Sequence, residues 1–174
     1  MSFPRNSTLL AMTLATTLLL GGTVHAGEVS MAGGSVTFHT PDNWLTILQT
    51  EGDPEAQVFQ VPDPSPTGKT SLARITVTVK HVPDISSFHQ FRAEADARAM
   101  ALPGYKVVAA APVPDSNFYT ARETGTDFSY VEHYWLKNGH AIQLRCVRPS
   151  KSLAGATWMA NFDKGCAAIA AQLK

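Results

Sequence analysis

The chain has 174 residues, of which 44% are hydrophobic, and it carries 14 Lys and Arg against 14 Asp and Glu. This length and composition fit one globular domain with a sizeable core. The balanced charge gives no electrostatic attraction to nucleic acid or to an anionic membrane surface, so the sequence argues against both kinds of partner.

The first 26 residues have the pattern of a secretory signal peptide. Arg5 provides a positive start, residues 9–20 are uncharged and mostly apolar, and Val24 and Ala26 stand at positions −3 and −1 of a cleavage site. The apolar run is shorter than the about 20 residues that cross a bilayer. We therefore predict export to the periplasm, cleavage after Ala26, and one mature domain, residues 27–174, without an integral membrane segment.

The first half of the mature chain consists of short extended pieces. Val36 and Trp44 lie in two of them, on either side of a Pro-Asp-Asn turn, and Val58 lies in a third. Residues 63–70 are rich in Pro, Ser, Thr and Gly, and we expect a mobile surface loop there. Residues 72–82 are the clearest predicted strand, because apolar and polar side chains alternate along them.

Two helices are predicted, one in the middle of the chain and one at its C-terminus. Ser86 or Ser87 can cap the first, which runs to about Leu102. Its apolar residues recur every three to four positions, so we expect it to lie on the surface of a sheet. A meander of antiparallel strands follows. Residues 156–173 then show a second helical stripe.

The dipeptide Asn138-Gly139 predicts a tight hairpin, because both residues tolerate the positive φ of a type I′ turn. A two-residue loop there places Trp135 opposite Ile142. The residues that share this face are Val131, His133, Trp135, Ile142, Leu144 and Cys146. The face is mostly apolar, so we expect it to receive the C-terminal helix.

Cys146 and Cys166 are the two cysteines of the chain. In an exported protein an even number of cysteines favours a disulfide over two buried thiols. Cys146 lies about 10 Å from the end of its predicted strand. Cys166 lies about 15 Å into its predicted helix. The heights match, so we predict a Cys146–Cys166 bridge.

The opposite face of the same hairpin carries aromatic and charged residues. Glu132 and Arg145 stand directly opposite each other and can form an ion pair, with Tyr130 and Tyr134 beside them. Two interpretations stay open. Either the helix of residues 87–102 covers this face in a three-layer sandwich, or the face is a platform that is partly open to a ligand or partner.

Several apparent active sites fail on spacing. Residues 66–70 read Pro-Thr-Gly-Lys-Thr, but the first glycine of a P-loop would fall at Asp63, and a strand follows where a helix is required. The mature histidines show neither HExxH spacing nor the pairing with cysteines that a zinc site needs. Cys146 with His133 lacks a third, orienting group. The sequence therefore predicts no catalytic residues, metal or cofactor.

Residues 35–44 form an apolar strand that is followed by Pro41 and Trp44, and this segment resembles the start of the PsbP-like and Mog-like superfamily, which includes bacterial DcrB-like envelope proteins. The later order is similar: a Pro/Gly-rich loop, a long strand, a helix that begins Ile-Ser-Ser-Phe, a meander and a C-terminal helix. The resemblance implies an α+β fold. Its expected form is an α/β/α sandwich around a central antiparallel sheet, with one helix after the third or fourth strand and one at the C-terminus.

The resemblance also implies action through protein contacts. Some cytoplasmic relatives are adaptors for type VI secretion effectors, but this chain differs from them by its export signal and its two cysteines. We predict a non-enzymatic periplasmic protein that binds another protein, as an immunity protein against a secreted effector or as an envelope accessory factor. The alternative is a small-ligand or metal-binding domain. A hydrolase ranks last, because no catalytic constellation is found in the sequence. The fold alone does not fix the function.

The predicted partner-binding residues come from an acidic loop and from the aromatic and charged face of the hairpin. The acidic loop of residues 50–55 provides a protruding contact, as inhibitors often do, and residues 63–70 are a second candidate loop. The candidate residues are Asp53, Glu55, Tyr130, Glu132, Tyr134 and Arg145. In the small-ligand alternative, Tyr130, Tyr134 and Arg145 would line the site.

Overall fold

A computed structural model describes residues 27–108 and 114–174. The predicted signal peptide lies outside the described residues, as does part of the strand expected after residue 105. The strands are β1 (Gly27–Met31), β2 (Val36–Thr40), β3 (Leu45–Thr50), β4 (Glu55–Gln60), β5 (Arg74–His81), β6 (Lys106–Val107), β7 (Ser116–Glu123), β8 (Thr126–Lys137) and β9 (His140–Pro149). The helices are α1 (Thr67–Thr70), α2 (Ile85–Met100) and α3 (Gly155–Leu173).

The fold is α+β and is built around one antiparallel sheet. Seven strands follow the order β3-β4-β5-β9-β8-β7-β6, and β1 and β2 form a separate hairpin. The long helix α2 follows the fifth strand, not the third or fourth, because the sequence prediction missed strand β1 directly after the expected cleavage point. No helix in the described ranges is long and apolar enough to cross a membrane.

The β8–β9 hairpin has the predicted register. Trp135 pairs with Ile142, and Glu132 pairs with Arg145. Asn138 has a φ of 52°, as the predicted turn requires. Strand β9 lies between β5 and β8 and is buried along most of its length, so it forms the centre of the sheet.

The two long helices pack on opposite faces of the sheet. Helix α3 and the β1–β2 hairpin share one apolar cluster with alternate residues of β5 and β9, among them Ile75 and Leu144. Helix α2 packs against the other face, where Ala141 and Tyr134 lie beneath Phe91. Seven strands span roughly 30 Å, whereas a helix with its side chains is roughly 10 Å wide. One long helix therefore covers only part of each face.

Local interactions set the helix boundaries. The carboxylate of Asp84, not a serine, caps α2 by accepting a hydrogen bond from the backbone N–H of Ser87 at 2.7 Å. The predicted caps Ser86 and Ser87 fall inside the first turn instead. A carboxylate is the stronger acceptor for these free amides, because its charge also complements the positive N-terminal end of the helix dipole.

Residues 63–70 have more structure than the expected mobile loop. They end in the short helix α1, and Asp63 Oδ2 accepts a hydrogen bond from Ser152 Oγ at 2.5 Å. The backbone N–H of Leu153 donates to Thr67 Oγ1 at 3.0 Å. These bonds tie the segment to the chain that leads into α3, a tertiary contact that local composition does not encode.

Trp44 anchors the start of β3 to helix α3. A Cβ on Gly165 would lie 2.7 Å from the Trp44 ring, so only glycine allows the indole to approach the helix this closely. Trp158 adds a second tie, because its Nε1–H donates to the carbonyl of Pro62 at 2.9 Å. Both contacts tie α3 to the chain segments that flank β3 and β4.

Candidate functional site

The predicted disulfide joins the sheet to the C-terminal helix. Cys146 on β9 and Cys166 on α3 are bonded, with their Cα atoms 6.2 Å apart. Both residues are buried. The bridge fixes α3 over the central strand and leaves it to one side of β8 and β7.

An apolar groove of about 390 Å³ runs along that uncovered side of α3. The disulfide lies at its base, Phe118 and Val131 of the sheet form one wall, and Phe162 and Ala167 of the helix form the other. At its rim, Arg148 makes a two-pronged ion pair with Asp163, with N–O distances of 2.8 and 2.9 Å. The groove is therefore apolar inside and charged at its rim.

Aromatic side chains continue this surface along the sheet. We call Phe118, Val131, His133 and Trp135 the open strip, because all four are only half-buried. The His133 ring stacks on Trp135 with centroids 5.7 Å apart and meets the edge of Phe118 at 5.9 Å. A contiguous apolar surface of this kind indicates an interaction site, whereas single exposed hydrophobic residues occur on every protein.

The open strip offers binding chemistry. Burial lowers the pKa of His133, so the ring is neutral at physiological pH and adds to the apolar character of the strip. Aromatic rings are typical of the centre of protein interfaces, and polar or charged groups are typical of the rim. Within the part of the chain that the structure describes, no three His, Cys, Asp or Glu side chains lie close enough to hold a metal ion.

The predicted platform on the other face of the hairpin is closed. Glu132 is 1% exposed, and Tyr130 and Tyr134 are buried with it. Helix α2 covers this face, so the structure supports the alternative in which the helix packs there. Arg145 keeps 30% of its side chain exposed.

A network of polar groups fills this closed face. Glu132 accepts hydrogen bonds from the hydroxyls of Tyr119, at 2.8 Å, and Tyr134. Arg145 Nε lies 2.8 Å from Glu132 Oε1 as a charge contact without hydrogen-bond alignment, and its Nη2 donates to Tyr119 at 3.0 Å. Burial, and then the negative charge of Glu132, raises the pKa of Tyr119 and of Tyr134. The carboxylate is thus the shared acceptor of the network.

Asp53 and Glu55 lie at the other edge of the sheet. Asp53 Oδ1 accepts a hydrogen bond from the backbone N–H of His81 at 2.9 Å, and Glu55 Oε2 accepts one from Ala32 at 2.6 Å. Both carboxylates therefore hold the β3–β4 turn against its neighbours. The structure does not bring the six predicted partner-binding residues together: two lie at this turn and four lie on the α2 face.

The open strip is not predicted from the sequence, because the whole apolar face of the hairpin is expected to lie under α3. Ile142, Leu144 and Cys146 are buried beneath that helix, as expected. Val131 and Trp135 only pack against the edge of this cluster, and both stay half-buried, as does His133. The signal was present in the helix itself. Its buried residues form one narrow stripe, and the groove side carries the small residue Ala167, which cannot reach across to β8.

Neither a family model nor a curated protein matches the sequence. The fold is similar to the crystal structure of LpqN, a protein involved in cell envelope biogenesis of Mycobacterium tuberculosis. The two chains are 14% identical, the match covers 85% of this chain and 88% of LpqN, and the TM-score is 0.51. At this identity the likeness shows the fold alone. The resemblance to the PsbP-like and Mog-like superfamily stays a prediction.

Proposed function

We propose that this chain is an exported, periplasmic protein of the cell envelope that binds another protein and has no catalytic role. The observation that carries the proposal is the apolar groove beside the Cys146–Cys166 bridge, together with the open strip. An apolar centre with a charged rim has the anatomy of a protein interface. The envelope role of LpqN supports an envelope-associated function here.

The shape of the groove favours a protein over a small ligand. Ligand pockets usually enclose 70–90% or more of their ligand. Here Ala167 and Asp163, on the helix wall, are exposed, so one side of the groove is open to solvent. A partner side chain could enter the groove while the rest of its protein covers the open strip. The volume of about 390 Å³ keeps a small apolar molecule as the second candidate.

Two roles satisfy this proposal, an envelope accessory factor and an immunity protein that blocks a secreted effector. We favour the accessory role, because LpqN is involved in cell envelope biogenesis and because the acidic residues Asp53 and Glu55 have bonding partners within the fold. An immunity protein would need a protruding contact loop, and these two carboxylates instead hold their turn in place.

A matched pair of positions on α3 tests the groove. Ala167 lines it, whereas Ala168 is exposed on the adjacent side of the helix and lines no part of it. A photo-crosslinking amino acid at position 167 should capture a partner in cells, and the same residue at position 168 should not. Purified partner should then bind the Ala168→Trp variant normally and the Ala167→Trp variant at least about tenfold more weakly.

Three results would overturn the proposal. Equal crosslinking from both positions would place the partner elsewhere on the protein. Unchanged affinity of Ala167→Trp would show that the groove is not used. A small molecule that stays bound in native mass spectrometry of the wild type and is absent from Ala167→Trp would establish the small-ligand alternative.

A further inference from the structure

Strand β3 forms one edge of the seven-stranded sheet and is unusually open. It pairs with β4 and with no second strand among the described residues. All six of its residues are exposed, including Leu45 at 55%, Ile47 at 44% and Leu48 at 53%. The backbone N–H and C=O groups on its outer side are therefore available to an added strand.

Strand β3 lacks most of the features that protect edge strands. Natural edges are blocked by Lys, by Pro, by inward charges or by β-bulges, and the strand Leu-Thr-Ile-Leu-Gln-Thr has none of the first three. Its one irregularity is a bulge between Thr46 and Leu48. The bulge turns Thr46 and Gln49 toward the same face of the sheet, because they pair with Phe59 and Gln57, two residues apart on β4.

The surroundings of β3 are acidic. Residues 27–68 contain no Lys or Arg and six acidic residues, which are Glu28, Asp42, Glu51, Asp53, Glu55 and Asp63. Two of these, Glu28 and Asp42, line a polar groove of about 440 Å³ between the β1–β2 hairpin and β3. Thr46 and Gln49 of β3 line the same groove.

We infer that the β3 edge binds an extended segment of another protein that alternates basic and apolar residues. The segment adds one antiparallel or parallel strand to the sheet through backbone hydrogen bonds, as in other cases of strand addition. Every second side chain of the segment then points to the groove that holds Glu28 and Asp42, which favours Lys or Arg there. The other side chains lie beside Leu45 and Leu48.

Charge decides between this partner and a second copy of the chain. Pairing of two β3 edges would bring the acidic groups of one copy against the same groups of the other, and like charges placed together oppose association. A basic strand meets no such opposition. The β3 edge also lies at the far side of the sheet from the groove beside α3, so the two sites are independent of each other.

Two synthetic peptides test this inference on the purified protein. One alternates Lys with Val, and the other alternates Glu with Val. The Lys peptide should bind at least about tenfold more tightly than the Glu peptide, and added salt should reduce this difference. Amide hydrogen exchange should show that the Lys peptide slows exchange in residues 45–50 and leaves β6 unchanged.

Variants with matched controls locate the site. Leu48→Lys should weaken binding of the Lys peptide, whereas Leu153→Lys, at a residue 77% exposed outside the sheet, should not. Replacing Glu28 by Gln and Asp42 by Asn should remove the preference for Lys over Glu, and Asp127→Asn at the other end of the sheet should keep it.

Each other outcome overturns the inference. Equal binding of the two peptides would show strand addition without selection for a basic partner. Unchanged exchange in residues 45–50 with bound peptide would place binding elsewhere. A dimer at micromolar concentration that protects residues 45–50 without peptide would make a second copy the occupant. None of these results depends on whether the groove beside α3 binds its own partner.

Discussion

On strands β7 and β8 the polar face is buried and the apolar face is partly exposed, which reverses the usual arrangement. The face under α2 carries Tyr119, Glu132 and Tyr134 and is closed, whereas the face beside α3 carries Phe118 and Trp135 and is half open. Polar groups are buried on one side of the same backbone, and apolar rings reach solvent on the other. A buried polar cluster and an exposed apolar surface are the two exceptions to simple burial that carry information about a protein.

The α2 face is part of the packed interior, whereas the α3 face leaves apolar surface partly uncovered. On the α2 face, one carboxylate accepts hydrogen bonds from two tyrosines and meets the charge of Arg145, so any ligand would have to break these interactions. On the α3 face, the rings of the open strip contact one another and do not belong to that network. Covering them would remove apolar surface from water without breaking a hydrogen bond.

The largest expected effect comes from removing the centre of the closed network. Glu132→Ala leaves Arg145 without its counter-charge and two buried hydroxyls without their acceptor, and should lower the free energy of unfolding by about 3–5 kcal/mol. His133→Ala, the next residue on the open face, should cost less than about 1 kcal/mol. Urea unfolding of both variants measures this, and equal losses would contradict the contrast between the faces.

The disulfide should have the second largest effect. Replacing Cys146 and Cys166 together by Ala should lower the free energy of unfolding by about 3 kcal/mol, since the bridge closes a loop between residues 20 positions apart. The wild type should lose a similar amount in reductant, and the double variant should be insensitive to it. Two free thiols in unreduced peptides, seen by mass spectrometry, would remove the bridge itself.

Adding volume on each side of the sheet gives a smaller effect. Ala99 on α2 is fully buried against the closed face, so Ala99→Leu should cost about 1–3 kcal/mol through overpacking. Ala167 on α3 borders the groove, and Ala167→Leu should change stability by less than about 0.5 kcal/mol. Thermal unfolding compares the two, and a similar loss from both would mean that the groove is not open space.

Much of the fold follows from local sequence patterns. The Asn138-Gly139 turn fixes the β8–β9 register. That register, the helical stripe around Cys166 and the predicted export of a chain with two cysteines together predict the disulfide. Strand β1 was missed, because five residues beginning with glycine carry little signal. Its Val29 and Met31 are buried only through tertiary packing against β2 and the core.

The candidate site could not be predicted from the sequence, because it depends on how far a helix reaches across a sheet. Alternation along β8 separates Val131, His133 and Trp135 from Tyr130 and Glu132, but it does not say which set is covered. Tyr, Glu and Arg side chains look like a recognition surface in sequence. The register predicts the Glu132–Arg145 pair, but only the position of α2 shows that this face is covered.

The smallest expected effects are pH dependences of stability, and the two faces should differ in them. The α2 face should respond at alkaline pH. Burial, and then the charge of Glu132, raises the pKa of Tyr134 in the folded protein above its ordinary value of 10.0. The neutral Tyr134 makes its full contribution to the free energy of unfolding below pH 10. This contribution is lost as the pH rises, because the tyrosine ionises first in the unfolded chain. Tyr134→Phe should therefore flatten the alkaline fall in unfolding free energy relative to wild type.

The open face should weaken at the acid end instead. Burial lowers the pKa of His133 below its ordinary value of 6.5, so the neutral ring contributes stability that is complete above pH 6.5 and is lost as the pH falls, because the unfolded chain binds the proton first. His133→Phe keeps a ring on the strip and should remove this loss between pH 6.5 and 5, whereas Tyr134→Phe should keep it. A partner that covers the strip would bury His133 more deeply. The affinity of this partner should then fall over the same pH range for the wild type and stay constant for His133→Phe. Calorimetry at several pH values would measure both affinities. An acid-independent affinity for the wild type would show that the bound partner leaves His133 in contact with water.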